Sequence, residues 1–373
     1  MNNARPLYAL ILVLLLSTFA SAQKGSAVEL PMKMRGSMPA VEVMVNGKGP
    51  YLFAIDTGGQ GQARLDETLV KALGLEPVDE IRASDGSGAN ARVLPVYEAA
   101  SIIVGGLEFK NVRAPSRNYN PRPDLPKIDG ILGFNLFSEY LITLDYPGKK
   151  VRISKGALTK GPDVISFESP NGVPVVEIGV GAEKIKAHID SGNMAGAFML
   201  PAELVEKLEK ESEPVTVGRA RTVTSEIEIK RVKLKDAITF GPFKHESPTV
   251  TFPALGSANI GSLALAEYSI TFDQANRLIK LERSKPAKAA APGGEYGGSY
   301  GDRTISEENG TLFLQRTGGP KLKLLPGEAK DEFRLEIVPT ARIKFVRDAK
   351  GQVSEVHVLT QQGAWEKSIR DIK

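Results

Sequence analysis

Val41, Val43 and Val45 alternate with other residues at a period of two, which predicts a half-buried strand. Asn46-Gly47, followed by Gly49-Pro50, then turns the chain into a second strand, Tyr51 to Ile55, that ends on Asp56. Downstream, Leu65, Leu69, Ala72 and Leu73 fall on one face at i, i+4 spacing, as do Leu200, Leu204 and Leu208. Helical chain is therefore expected over Leu65 to Leu75 and Leu200 to Leu208, with those leucines in the core.

The pattern occurs twice. Glu139-Tyr140-Leu141-Ile142-Thr143-Leu144-Asp145 returns as Glu267-Tyr268-Ser269-Ile270-Thr271-Phe272-Asp273, in a register that also pairs Gly133 with Gly261. Upstream, Ala40 to Val45 resembles Val175 to Val180, and Phe53-Ala54-Ile55-Asp56-Thr57-Gly58 resembles Ala187-His188-Ile189-Asp190-Ser191-Gly192. Two blocks in the same order divide the chain into duplicated lobes, 23–157 and 158–284. A Lys-, Pro-, Ala- and Gly-rich linker is expected over 285–299. Beyond it, short alternating strands punctuated by Asn309-Gly310, Gly318-Gly319-Pro320, Asp348 to Gly351 and Gln362-Gly363 predict a small antiparallel meander or open barrel over 300–373.

Composition narrows the function classes. At 373 residues with 42% hydrophobic and 25% charged, the chain is ordinary folded protein and exceeds what one core serves. A net charge of +4, dispersed along the chain, gives no footprint for nucleic acid or an anionic membrane. Arg5, the apolar run Leu7 to Leu16 and Ala20-Ser21-Ala22 read as a signal peptide over 1–22, so the mature protein is expected to be exported, periplasmic or secreted, with no stable membrane span after cleavage. The absence of cysteine removes disulfides, thiolate metal sites and a Cys nucleophile. His188, His245 and His357 have no metal-ligand spacing, so neither metal nor cofactor is expected.

The chemistry sits in the repeated Asp-Thr/Ser-Gly blocks. Hydrolysing an amide without a metal or a covalent nucleophile needs a base for water and an acid for the carbonyl oxygen. Two adjacent carboxyls that share one proton supply both, because they cannot both ionise. Asp56 and Asp190 are the candidate pair. Thr57 and Ser191 offer hydroxyls to brace one loop on the other, and Gly58 and Gly192 allow the loops to approach closely.

On these motifs the chain resembles the pepsin and retropepsin clan of aspartic peptidases in its two-lobe, single-chain form. The hydrophobic-hydrophobic-Gly element of that clan matches Ile131-Leu132-Gly133 and, less well, Asn259-Ile260-Gly261. The resemblance implies a mainly β, bilobal fold with a polypeptide substrate in the cleft, and Gly133 and Gly261 as support for the active site. The sequence departs from the clan after each motif glycine, where Gly59 and Asn193 stand in place of Ser or Thr. Gly59 has no side-chain donor, Asn193 retains one, and Asn259 is expected to weaken the second supporting loop. The C-terminal segment resembles the small β-domain fused to β-lactamase-related serine hydrolases, through Gly297 to Tyr300, Leu312-Phe313-Leu314 and Ile343 to Asp348.

A substrate-covering flap is expected at Asp85, Gly86, Ser87 and Gly88, within the stretch from Ser84 to Asn90, with Arg219 to Ser225 as its weaker counterpart. His188, two residues before Asp190, is expected either as a hydrogen-bonded structural histidine or as an imidazole that biases the pair's proton. Gly58-Gly59-Gln60-Gly61 lacks the third glycine of a dinucleotide loop, and Ser87 does not form a serine-hydrolase elbow. The competing function is a peptide-binding module that has lost turnover.

Overall fold

In the computed structural model the strands Met38–Val45 and Lys48–Asp56 pair antiparallel through the Asn46-Gly47 turn. Asn46 has φ +50 and Gly47 φ +74, the left-handed geometry that a tight hairpin demands and that Asn-Gly tolerates. The structure describes residues 27–83, 92–121, 126–211, 213–221, 226–254, 257–283, 294–308, 310–316, 321–336, 338, 341–359 and 365–371. The expected signal peptide and the flap residues Asp85, Gly86, Ser87 and Gly88 lie outside them. Among the described residues, no helix is long and apolar enough to cross a membrane.

The fold is mainly β. The first hairpin belongs to an eight-stranded sheet, where Lys48–Asp56 runs parallel to Gly130–Gly133 and places Asp56 beside Gly133. In the second half, Val175–Val180 and Glu183–Asp190 form the equivalent hairpin in a nine-stranded sheet. There Glu183–Asp190 runs parallel to Ala258–Gly261, so Asp190 lies beside Gly261.

A six-stranded sheet joins the halves, and the repeated heptad accounts for its middle. Leu141–Asp145 pairs antiparallel with Tyr268–Asp273, with Thr143 directly opposite Thr271. Their hydroxyls lie 2.8 Å apart at positions separated by 128 residues. A strand that meets its own copy residue for residue generates a local two-fold relation, which carries the two aspartate strands toward each other.

The helices are shorter than the leucine spacing predicts, at Glu67–Leu73 and Ala202–Lys207. Leu65 is spent on the strand Ala63–Asp66, and Asp66 then caps the first helix by accepting from Thr68 N at 3.0 Å. Leu200 similarly precedes the second helix, where it is fully buried. A continuous apolar cluster runs through both halves, with the Phe134 ring 5.2 Å from that of Phe272.

The C-terminal strands pair in sequence order from Gly298–Tyr300 to Trp365–Ile369 as an antiparallel meander. Asp371 N donates to Ser299 O at 2.8 Å and brings the last strand back beside the first. Tyr296 and Tyr300 are buried with Phe333 and Phe345 in a separate apolar cluster, so packed structure begins inside the stretch expected to be linker. Val215 and Val217 of the second half pack against that cluster.

Candidate active site

Each motif aspartate is the last residue of a strand whose inward side chains are apolar: Phe53, Ala54 and Ile55 in one half, Ala187 and Ile189 in the other. The chain then crosses to the opposite half. Thr57 Oγ1 donates to Ile189 O at 2.8 Å and accepts from Ser191 N at 2.9 Å. Ser191 Oγ donates to Ile55 O at 2.7 Å and accepts from Thr57 N at 2.9 Å. Both hydroxyls are buried, so four hydrogen bonds lock the loops in reciprocal register.

The motif glycines determine how close the carboxyls come. A Cβ on Gly58 would overlap the carboxyl of Asp190, and one on Gly192 would overlap that of Asp56. Only a bare backbone fits at either place, so each loop packs directly on the carboxyl of the opposite half. Asp56 Oδ1 is buried and, among the described residues, has no conventional hydrogen-bond donor. Burial, and then the charge of Asp190, push the Asp56 carboxyl up to about 7. Burial also raises Asp190, opposed by donors from Asn259 and the backbone N–H groups of Gly192 and Asn193. Beside the two carboxyls the Tyr146 hydroxyl is buried, and burial with the two acidic charges raises its pKa and keeps it a neutral phenol.

The outer oxygens are held differently in the two halves. Asn259 Nδ2 donates to Asp190 Oδ2 at 2.9 Å, and Asn193 Nδ2 holds Asn259 in place by donating to its Oδ1 at 2.9 Å. This corrects the expectation that Asn259 weakens the second loop: its amide is a direct support of the aspartate. In the first half Arg64 Nη1 lies 3.5 Å from Asp56 Oδ2, in the space that Gly59 leaves open. Sequence reasoning missed Arg64, since nothing in the motif points to a residue on the following strand.

The remaining predicted residues sort clearly. Gly133 and Gly261 flank the aspartates, and a Cβ on either would overlap a backbone carbonyl, of Gly61 and Gly196 respectively. His188 is half-buried and its Nε2 lies 3.1 Å from Ser257 Oγ. Burial lowers its pKa, and the bond to Ser257 is of the kind the structural alternative expects. The second-lobe hairpin is described through Val215–Arg221 and Glu226–Lys233, while its tip lies outside the described residues.

Residues 41–136 match the family model described as aspartyl protease. The match spans Asp56-Thr57-Gly58 and Ile131-Leu132-Gly133, so an aspartic-protease-like domain lies there. No curated protein matches the chain.

Proposed function

We propose that the protein is an aspartic endopeptidase in which Asp56 and Asp190 form one catalytic unit. The observation that carries this reading is the close approach of the two loops, which packs each motif glycine on the opposite carboxyl and leaves Asp56 Oδ1 without a hydrogen-bond partner among the described residues. The pair in its singly protonated form supplies a base and an acid at the same place.

The carboxylate takes a proton from water as the water oxygen bonds to the scissile carbonyl carbon. The carboxyl proton passes to the carbonyl oxygen, giving a neutral diol. The captured proton then moves to the amide nitrogen, the C–N bond breaks, and a hydroxyl proton returns to the pair as the new acid forms. The Thr57/Ser191 bonds hold the carboxyls in reach throughout, and the buried Tyr146 adds no competing charge. In this reading 1–22 is the export signal, the two duplicated lobes form the cleft, and an extended polypeptide is the substrate.

The test is incubation of the mature protein with an unfolded-polypeptide library from acid to neutral pH, with and without a statine-containing peptide. The wild type is expected to cleave between apolar residues and to be blocked by the statine compound. Asp56→Asn and Asp190→Asn are each expected to lose at least about a thousandfold in kcat/KM. Cleavage that survives either substitution rules out the shared-proton mechanism. Tight statine binding without cleavage identifies the peptide-binding module instead.

A further inference from the structure

Arg64 introduces a charge that the general mechanism does not require. Its side chain is 21% exposed and that of Asp56 is 17% exposed, so the ion pair between them is partly shielded from water. A Cβ on Gly59 would lie 2.8 Å from Asp56 Oδ2 and would overlap Arg64 Nη1. The missing side chain at Gly59 is therefore what admits the guanidinium.

Comparison of the halves shows that the position is specific. Arg64 lies across the ladder from Ile131, and Met199 lies across the equivalent ladder from Asn259. Each pair has one polar and one apolar member, with the roles exchanged. The polar member reaches the outer oxygen of its aspartate in both cases, as an amide for Asp190 and as a cation for Asp56. Only the first half spends a full charge on this contact.

We propose that Arg64, admitted beside Asp56 Oδ2 by Gly59, is a positioning residue that keeps one carboxyl of the pair ionised. The other groups facing this site do not supply that charge. Tyr119 is a neutral phenol with the Arg117 guanidinium 5.0 Å from its ring centre, and Tyr146 is neutral and buried. Asp66, two residues along the strand, is occupied by Thr68, Tyr119 N and Asn120. Asn193 and Asn259 are uncharged. Removing a cation at this distance raises carboxyl pKa values by about one pH unit or more, so both limbs of the pH-rate curve belong at higher pH without Arg64.

The effect on rate rests on the peptidase reading, whereas the effect on titration does not. The experiment follows the carboxyl resonances of full-length protein labelled with 13C at aspartate, the pair being those lost in Asp56→Asn and Asp190→Asn. In Arg64→Met, which installs the second half's residue, the pair is expected to titrate about one unit higher. Arg64→Lys is expected to restore most of the difference, and Gly59→Ala, which displaces the guanidinium, to shift in the same direction as Arg64→Met. The pH profiles of kcat/KM are expected to follow in step. A pair that titrates alike in wild type, Arg64→Met and Gly59→Ala overturns the assignment. A shifted titration in protein that cleaves nothing upholds Arg64 and defeats the peptidase reading.

Discussion

Burying two carboxyls against each other loads the native state, and the load varies with pH. The Asp56 carboxyl holds its proton to about 7 in the fold, whereas an exposed aspartate releases it near 3.8. The native state thus binds more protons than the unfolded chain between those values. Stability from this group is fully present below about 4 and is lost as pH rises through about 7. Asp56→Asn removes that dependence. It is expected to be more stable than wild type by roughly 1–4 kcal/mol at pH 8, with the difference gone by pH 4. Urea denaturation across that range checks it, and a wild type at least as stable as the variant at pH 8 contradicts the buried, raised carboxyl. The variant that gains stability is also the one expected to lose cleavage, because the burial and repulsion that destabilise the fold are what retain the proton for catalysis.

At the scale of elements, the short strands Gly130–Gly133 and Ala258–Gly261 run beside the aspartate strands and end on glycines whose neighbours are backbone. Backbone carbonyls cannot swing aside as a long side chain can. Gly133→Ala and Gly261→Ala are each expected to lose about 1–3 kcal/mol of stability, to similar extents, since the overlaps in the two halves match. A melting series checks this, and a large loss at one glycine with none at the other contradicts the equivalence. This equivalence was legible in the sequence, because a repeat in register marks the same place in two copies, and so were the hairpins that deliver Asp56 and Asp190. The two copies of the heptad were legible as well, while their pairing with each other, Thr143 opposite Thr271, is seen only in the structure. Helix length was not legible, since leucines at i, i+4 spacing serve equally well on a strand followed by a short helix, as Leu65 shows. The contacts of Arg64 and Asn259 were hidden for a deeper reason. They arise between cross-strand neighbours distant in sequence, and the polar residue stands on opposite members of that pair in the two halves.

For the whole molecule, the division of apolar clusters predicts how it unfolds. One cluster runs through both halves, and another belongs to the C-terminal meander. Their described contact includes Val215 and Val217, together with the ion pair of Lys233 Nζ and Glu336 Oε1 at 3.6 Å. Calorimetry is expected to resolve two transitions, with both aspartate-bearing halves melting as one unit. Separate melting of those halves contradicts the shared core. That core and the six-stranded sheet bring together two aspartates distant in sequence, and the central proposal is that they bind one proton in common. Its most direct test is the 13C titration of the Asp56 carboxyl in wild type and in Asp190→Asn. Because part of the rise in Asp56 comes from its partner's charge, its pKa is expected to start near 7 and to fall by about one unit or more in the variant. An Asp56 that titrates at the same pH in both proteins contradicts the claim.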